Sequence, residues 1–313
     1  MEKYVFGVDI GGTTCKLGLF DSTGNLLDKW EIGTEKSDQG RMVLKNVAAS
    51  LRAKLCEKNI SEDEVLGLGM GLPGTKDRAG FFECPNLNWK QVAAEQEMCE
   101  IMGGMKVKAL NDANAAALGE MWKGSAKGYQ DVVMVTLGTG VGGGIIVGGK
   151  MLEGAHGAAG EIGCIVVNPE ETESFSAGPK GCLEQYASAT GLVNMTYKRL
   201  AQPHDLSALD VMEQITAKAV FDACKSGDKL ATEIISTFCE IMGKGLARVS
   251  YVVDPEIYVI GGGVSKAGEL LLKAVQAAFL EEVPDTCRDT KFVLASLGND
   301  AGMYGAVYAI CTD

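Results

Sequence analysis

The hydrophobic positions of the chain fall into two kinds of pattern. Tyr4–Ile10 is an apolar run that stops at the glycines and threonines of residues 11–14 and resumes as Cys15–Phe20. This pattern predicts a strand, a glycine-rich turn and a second strand. Residues 41–59 instead carry apolar side chains three or four positions apart, which predicts an amphipathic helix. Those side chains are Leu44, Val47, Ala48, Leu51 and Leu55.

The same alternation continues towards the C-terminus and predicts an α/β fold. Further strands are predicted at Val65–Met70, Val107–Leu110, Asp131–Leu137, Gly144–Val147, Ile257–Ile260 and Phe292–Leu297. Further helices are predicted at Ala113–Trp122, through Leu183–Tyr251 apart from a polar break near Gln202–Ser207, at Ala267–Glu281 and at Ala301–Ile310.

Two glycine-rich hairpins resemble each other. The sequence VDIGGT at residues 8–13 aligns without gaps with VTLGTG at residues 135–140, and each lies between two strand-like runs. One interpretation is a duplicated domain with a cleft between the copies. The other is that two unrelated glycine hairpins match by chance over six residues.

Composition narrows the class of protein. The 313 residues suffice for two domains, and 46% hydrophobic with 22% charged residues is typical of a folded globular protein. A formal net charge of −12 argues against nucleic acid or an anionic membrane as a partner. We see no signal-peptide pattern and no unbroken apolar span, so we expect a cytoplasmic location. Ten irregularly spaced cysteines then indicate free thiols in a reducing compartment.

The glycine loops do not match the common dinucleotide or P-loop motifs. Residues 138–143 satisfy G-x-G-x-x-G, but the following residues 144–147 read as a strand. A Rossmann site requires a helix there, because the helix N-terminus holds the pyrophosphate. A Walker G-x-x-x-x-G-K-[ST] loop is also missing from the sequence.

Three glycine loops that follow strands nevertheless favour nucleotide binding over simple turns. Glycine lets backbone N–H groups approach an anion, and neighbouring threonine hydroxyls add donors. Asp9, just before the first loop, suits an Mg²⁺ ion held largely through water. The third loop ends a strand and opens a helix, where an α-phosphate or ribose could bind. The candidate phosphate and nucleotide contacts are Asp9, Gly11, Gly12, Thr13, Thr14, Lys16, Gly138, Thr139, Gly140, Gly261, Gly262 and Gly263.

Asp112 is the candidate general base. It follows the predicted strand Val107–Leu110, and the C-terminal ends of strands are where α/β sheets present ligands. The alternative is that Asp112 serves as the N-cap of the next helix. Asn111 beside it offers a donor and an acceptor to a hydroxylated substrate. Phosphoryl transfer to an alcohol needs positioning, charge neutralisation and one carboxylate to take the hydroxyl proton.

Motifs along nearly the whole chain resemble the ROK group of sugar kinases, within the actin/hexokinase-like ATPase superfamily. They are VDIGGTTCKLGLFD, GLPG, PNLNW, NDANAAALGE, TLGTGVGGGII, GAAGEIG, KGCLEQYASATG, IGGGVS and NDAGMYGA. The resemblance implies two RNase H-like domains that close on ATP and a sugar at a central cleft. We place the smaller domain at residues 1–118 with 301–313 and the larger one at residues 119–300.

The resemblance also implies roles for individual residues. Asp112 would remove the proton from the sugar 6-hydroxyl, with ATP as donor and Mg²⁺ as cofactor. Residues 11–13 and 138–140 would contact phosphates, and residues 261–263 the adenosine. The implied sugar contacts are Gly71, Asn86, Asn111, Asp112, Glu161 and Glu184. Relatives often form homo-oligomers, so we expect a dimer. DNA-binding members carry an N-terminal helix-turn-helix, whereas this sequence starts with the first strand, so we do not expect a regulator.

The sequence departs from the family in its zinc motif, E-x-G-H followed by C-x-C-G-x-x-G-C-x-E. Aligned on Glu184 and the two preceding motif glycines, Cys164 takes the histidine position, Phe175 and Ala177 replace two cysteines, and Cys182 remains. Two thiolates do not complete a tetrahedral zinc site, so we predict that zinc is absent. Recruitment of His156 and a carboxylate is the alternative. The loop would then be held by packing, with Phe175 as an apolar plug, or be more mobile than in relatives.

Cys164 also bears on chemistry and on sugar choice. A Cys164–Cys182 disulfide is conceivable, but we expect free thiols in a reducing cytosol. The family histidine touches the sugar near C1–C2, and a thiol cannot replace imidazole as donor and acceptor. Glu161 and Glu184 remain to bind hydroxyls, and we see no pocket for an N-acetyl group. The sequence therefore predicts an ATP-dependent hexose kinase, with glucose first. Alternatives are a kinase for N-acetylglucosamine, N-acetylmannosamine, allose or fructose, a polyphosphate-dependent enzyme, and a non-catalytic sugar sensor.

Overall fold

A computed structural model gives the structure of the protein and describes residues 3–175 and 178–312. Packing divides the chain into two compact units. The first unit consists of Met1–Gln130, Gly144–Gly160 and Ser296–Asp313, and the second of Asp131–Gly143 and Glu161–Ala295. The domain bounds inferred from the sequence stay a prediction, because units that pack compactly need not coincide with domains that move.

The elements alternate along the chain as the hydrophobic pattern predicts. The strands are β1 (Tyr4–Ile10), β2 (Thr14–Asp21), β3 (Leu26–Gly33), β4 (Val65–Leu72), β5 (Thr75–Lys76), β6 (Phe82–Cys84), β7 (Trp89–Val92), β8 (Val107–Asn111), β9 (Val132–Leu137), β10 (Val141–Val147), β11 (Lys150–Met151), β12 (Ile257–Gly261) and β13 (Lys291–Leu294). The helices are α1 (Val43–Lys58), α2 (Ala94–Ile101), α3 (Asp112–Lys123), α4 (Leu183–Ala187), α5 (Ala189–Leu200), α6 (Ala217–Lys225), α7 (Lys229–Val253), α8 (Glu269–Glu282) and α9 (Ala301–Cys311). Among the described residues, no helix is both long enough and apolar enough to cross a membrane.

The first sheet has the strand order β3-β2-β1-β4-β8. β1 and β2 form the predicted antiparallel hairpin, and β1, β4 and β8 run parallel to one another. β1 is buried along most of its length because it lies inside the sheet, which explains its continuous apolar run. α1 buries the side chains that carry the predicted helical spacing, so that prediction is confirmed.

The sequence reading missed β3 and the small sheet β5-β6-β7. Residues of β3 alternate between partly buried and exposed, and its exposed positions include charged side chains. Asp28 in this strand forms ion pairs with Lys54 and Lys58 of α1 at 3.2 and 2.9 Å. A short apolar signal with a charged outer face is easily taken for a loop, because an edge strand needs only one apolar face.

The second sheet has the order β11-β10-β9-β12-β13, with β12 parallel to both β9 and β13. The helical prediction for Leu183–Tyr251 is partly wrong. Residues 201–216 separate α5 from α6 and contain only a short 3-10 helix, Ala208–Val211. Ser207 and Asp210 form a capping box at its N-terminus. Asp228 then caps α7 by accepting a hydrogen bond from Ala231 N at 2.9 Å. Local side-chain capping of this kind ends and restarts helices.

The predicted strand Phe292–Leu297 is also too long. β13 ends at Leu294, and the next residues bind Glu120 instead of a neighbouring strand. Leu297 N and Ser296 Oγ donate to the Glu120 carboxylate at 2.8 and 3.2 Å. Glu120 is completely buried, and Ser125 N donates to it at 2.8 Å as well. These hydrogen bonds satisfy the buried carboxylate and redirect the chain into α9.

α3 and α9 cross very closely within the first unit. A Cβ atom at Gly305 would lie 1.7 Å from Ala115 O, and one at Gly119 would lie 2.2 Å from Ala301 O. Only glycine allows the two backbones to approach so far. The crossing fixes α3, whose first residue is Asp112.

We expect Gly305→Ala to destabilise the protein by about 1–3 kcal/mol, because the added methyl group must push the two helices apart. Gly33→Ala is the matched control, since no described atom beyond its chain neighbours lies within 4 Å of that Cβ position. Thermal unfolding followed by circular dichroism measures both. A melting temperature for Gly305→Ala equal to that of Gly33→Ala would contradict the packing argument.

Candidate active site

Three parallel strands of the first unit end at the same edge of their sheet. The register pairs Asp9 of β1 with Gly71 of β4, and Leu72 of β4 with Asn111 of β8. A Cβ atom at Gly71 would lie 3.7 Å from Asp9 Oδ1 and 3.8 Å from the Cα atom of Asp112. The structure therefore brings together the candidate base, the candidate magnesium carboxylate and one candidate sugar contact.

Asn111, rather than Asp112, is the N-cap of α3. The Asn111 side-chain oxygen accepts hydrogen bonds from Ala113 N and Asn114 N at 2.9 and 3.1 Å. The other end of the same side chain donates to Gly74 O at 3.0 Å. The interpretation of Asp112 as the cap is wrong, because Asp112 is already the first helical residue.

The Asp112 carboxylate lies at the surface of the first unit. The residue is exposed, and its Oδ1 accepts a hydrogen bond from Ala113 N at 2.8 Å. A carboxylate at the first turn of a helix is favoured by the helix dipole. Asp112 thus stands at a strand end in a position that a hydroxyl substrate could reach.

Asp9 is a mostly buried carboxylate with one cationic neighbour. Burial raises the pKa of Asp9 above its ordinary value of 3.8, and the charge of Asp300 raises it further. The ammonium group of Lys16 opposes both effects at 3.3 Å. The start of α9 lies against the same carboxylate, because a Cβ atom at Gly302 would be 3.1 Å from Asp9 Cγ. A hard divalent cation would stabilise the ionised form of this group.

The first glycine hairpin is tied to its neighbours through its backbone. Gly11 N donates to Thr14 O at 3.0 Å, and Thr34 Oγ1 donates to Gly11 O at 2.7 Å. Asn86 lies beside this hairpin, since a Cβ atom at Gly12 would be 3.3 Å from Asn86 O. The structure therefore places Asn86 next to the candidate phosphate loop.

A cavity of about 390 Å³ adjoins Asn111 in the first unit. One of its lining residues, Asn114, was not predicted from the sequence. Asn114 lines this cavity, is 8% exposed, and has a buried Oδ1 atom without a hydrogen-bond partner among the described residues. A buried acceptor of this kind favours a hydroxyl group or a water molecule as its partner. Its only sequence signal is its place in the NDAN motif.

In the second unit, two carboxylates and two thiols share one cluster. Burial raises the pKa of Glu161 above its ordinary value of 4.5, and the charge of Glu184 adds to the shift. Partial desolvation also raises the pKa of the Cys164 thiol, with further contributions from Glu161, Cys182 and Glu184. Both Glu161 and Cys164 keep part of their surface exposed to solvent. The charge of Glu184 thus acts on both Glu161 and Cys164, which indicates that these side chains lie near one another. Within the described chain, no cysteine is in a disulfide.

The lost zinc motif lies partly outside the described residues. Ala177 is one of the residues that the structure does not describe. Phe175 is half-buried, and Cys182 pairs with Val166 in an isolated antiparallel bridge. Among the residues that the structure describes, no group of three or more histidine, cysteine or carboxylate side chains is arranged to hold a metal ion. The absence of zinc stays a prediction.

The third glycine loop adjoins an apolar cavity of about 200 Å³ in the second unit. Gly262 has φ 83°, and a Cβ atom there would lie 2.4 Å from Leu137 O, so only glycine fits between β9 and β12. Four charged residues, Lys218, Asp222, Lys225 and Lys266, line the cavity together with Gly263 and Val264 from the loop and, from α5 and α6, with Ala189, Ala217 and Phe221. The sequence reading missed the last three, because only tertiary packing brings α5 and α6 to this loop.

Comparison with known proteins places these features in one family. The ROK family profile matches residues 5–312. A glucokinase of Halalkalibacterium halodurans is 38% identical over 315 residues, which covers 99% of this chain and 95% of that protein. The crystal structure of a ROK hexokinase from Thermus thermophilus has a TM-score of 0.82 and 29% identity, covering 97% of this chain and 96% of the other.

A third relative was solved with ligands. The ROK family glucokinase of Streptomyces griseus, in complex with glucose and AMPPNP, has a TM-score of 0.77 and 32% identity. The match covers 98% of each chain. These structures share the two-domain actin-like ATPase fold, so the predicted fold class is confirmed.

We expect purified protein to contain far less than one zinc ion per chain, because Cys164 and Cys182 supply only two of four thiolate or imidazole ligands. Elemental analysis after dialysis against a zinc-free buffer measures this. A second sample dialysed with a chelator should keep the same melting temperature. Stoichiometric zinc, or a lower melting temperature after chelation, would contradict the prediction.

Proposed function

The chain belongs to the ROK family, and from that premise we propose that it is an ATP-dependent glucokinase that makes the 6-phosphate. The observation that carries this proposal is the exposed Asp112 carboxylate at the start of α3, at the sheet edge where the Cβ position of Gly71 lies within 4 Å of both Asp9 Oδ1 and the Asp112 Cα atom. The full-length similarity to a glucokinase, and to a glucokinase solved with glucose and a nucleotide analogue, supports it.

Asp112 acts as the general base of the reaction. Its carboxylate accepts the proton of the sugar 6-hydroxyl as that oxygen attacks the γ-phosphorus of ATP. The bond between the γ-phosphorus and the β,γ-bridging oxygen breaks, and ADP leaves with the electron pair. Asn111 supports this step because it caps α3 and holds Gly74 of the GLPG loop at the same time.

The glycine loops are proposed to hold the nucleotide. Residues 11–13 and 138–140 are proposed to contact phosphate oxygens, with Lys16 as a further cation. The N–H groups of Gly11 and Gly138 already donate to Thr14 O and Gly140 O, so the other backbone N–H groups of the two loops would make these contacts. The apolar cavity beside residues 261–263 fits a flat nucleobase, with Phe221 and Val264 in its wall. Magnesium bound near Asp9 would supply charge neutralisation for the transferred phosphoryl group.

Sugar recognition is proposed to rest on Gly71, Asn86 and Asn111 of the first unit and on Glu161 and Glu184 of the second. The roles follow from the family motifs, and the shared cluster of the two glutamates supports them. Cys164 gives no imidazole to the C1–C2 side of a sugar, which favours a simple hexose over an N-acetylated one. A homodimer, a cytoplasmic location and the lack of nucleic-acid or membrane partners remain expectations.

A sugar and donor panel tests the proposed function. We expect ADP release in a coupled assay to be fastest with glucose and Mg-ATP, and slower with N-acetylglucosamine, N-acetylmannosamine, allose and fructose. Polyphosphate should not replace ATP, because it has no nucleobase that could occupy the apolar cavity. Turnover restricted to an N-acetylated sugar would overturn the glucose assignment. Glucose binding without ADP release would instead favour a sugar sensor.

We expect Asp112→Asn to lower kcat by a factor of about 10²–10⁴, the usual contribution of a general base, because the amide cannot accept the proton. Glucose affinity should stay close to that of the wild type. Steady-state kinetics and a glucose titration without nucleotide measure the two quantities.

The matched control is Asp289→Asn, an exposed aspartate of the second unit in a 3-10 turn region. It should keep wild-type kcat. If Asp112→Asn also keeps wild-type kcat, Asp112 is not the base. If it loses glucose affinity in proportion to kcat, its role is binding.

A further inference from the structure

The hairpin between β9 and β10 is held by one neighbouring segment, Cys182–Thr190, through three hydrogen bonds. Val141 N donates to Glu184 Oε2 at 3.0 Å. Ala189 N donates to Gly138 O at 2.9 Å. Thr190 Oγ1 donates to Thr139 O at 2.9 Å. The candidate phosphate hairpin of the second unit is therefore bonded along its whole turn to the segment that carries one of the two candidate sugar glutamates.

The Glu184 carboxylate lies where the side chain of a larger residue at position 140 would begin. A Cβ atom at Gly140 would lie 2.3 Å from Glu184 Oε2. At Gly138, by contrast, no described atom beyond its chain neighbours lies within 4 Å of the Cβ position. The two glycines of the turn thus differ: a methyl group at residue 140 would displace the Glu184 carboxylate, and one at residue 138 would not.

The segment itself is anchored in the core of the second unit. Leu183 is completely buried and contacts α7 so closely that a Cβ atom at Gly245 would lie 2.7 Å from Leu183 Cδ1. Ser188 caps α5 by accepting a hydrogen bond from Gly191 N at 2.9 Å. Glu184 and Thr190 therefore extend from two fixed helix starts, which gives their bonds to the hairpin a defined geometry.

We propose that Glu184 and Thr190 are positioning residues that couple sugar binding to nucleotide binding within the second unit. This rests on the proposed function. A carboxylate accepts hydrogen bonds at both oxygens, so Glu184 can serve Val141 N and a sugar hydroxyl together. Sugar that fixes Glu184 also fixes the hairpin, and less conformational entropy is then lost when phosphates bind. Such coupling is reciprocal between the two ligands.

Three titrations by isothermal calorimetry test the coupling: glucose alone, Mg-AMPPNP alone, and Mg-AMPPNP at saturating glucose. For wild type we expect glucose to tighten nucleotide binding at least about 5-fold, the lower end of ordinary coupling. Thr190→Val keeps the shape of the side chain but removes the donor to Thr139 O. It should weaken nucleotide binding about 2- to 12-fold, the worth of one hydrogen bond, and reduce the coupling, with glucose affinity unchanged. Thr190→Ser should restore both.

The two glycines of the hairpin provide a matched pair. Both Gly138→Ala and Gly140→Ala alter the candidate phosphate loop, so both should weaken nucleotide binding. Only Gly140→Ala should also weaken glucose binding in the absence of nucleotide, because only it displaces Glu184. Melting temperatures confirm that each variant is folded.

Three results would overturn the proposal while leaving the glucokinase assignment intact: wild type without coupling, Thr190→Val with wild-type nucleotide binding and coupling, or equal glucose affinity for Gly140→Ala and Gly138→Ala. Wild-type protein that binds neither glucose nor Mg-AMPPNP would overturn the proposed function, and this proposal with it.

Discussion

The parallel register of β1, β4 and β8 is the constraint on which the first half of the candidate site depends. Because parallel neighbours end at the same edge of a sheet, the register that pairs Asp9 with Gly71 also brings Asn111 and Asp112 to that edge. The Cβ position of Gly71 lies 3.7 Å from Asp9 Oδ1 and 3.8 Å from the Asp112 Cα atom, so Gly71 separates the two carboxylate residues at that edge. Residues more than a hundred positions apart thereby meet without a dedicated loop.

Glycine residues allow close contacts at other places in the protein. Gly119 and Gly305 let α3 and α9 cross backbone to backbone, which fixes the helix that begins with Asp112. Gly140 leaves room for Glu184, and Gly262 leaves room for the end of β9. Glycine in a helix costs about 0.5–1 kcal/mol relative to alanine, so its use in α3 and α9 indicates that close approach matters more there than local propensity.

Much of the fold and of the candidate site can be predicted from the sequence, because strand periodicity and glycine loops are local signals. The strand Tyr4–Ile10 has the predicted bounds, and the strand predicted before Asn111 exists but extends one residue further, so that only Asp112 follows it. Which of the two caps α3 could not be predicted. Asn111 caps because its backbone is extended at φ −58° and ψ 145°, a conformation that sequence does not specify. The bond from Val141 to Glu184 spans 43 positions and depends on tertiary packing alone.

The pair Glu161 and Glu184 illustrates a contact that the stability of the fold does not explain. A carboxyl group whose pKa is higher in the folded than in the unfolded chain binds its proton more tightly when folded. Glu161 is exposed, so solvent screens much of this effect, and its ionisation together with the like charge of Glu184 contributes nothing favourable to the stability of the fold at neutral pH. Hydroxyl donors from a bound sugar would offset the repulsion, because hydrogen bonds stabilise the charged form of a carboxylate. This is the physical reason for which we propose a sugar, rather than the fold, as the partner of Glu161 and Glu184.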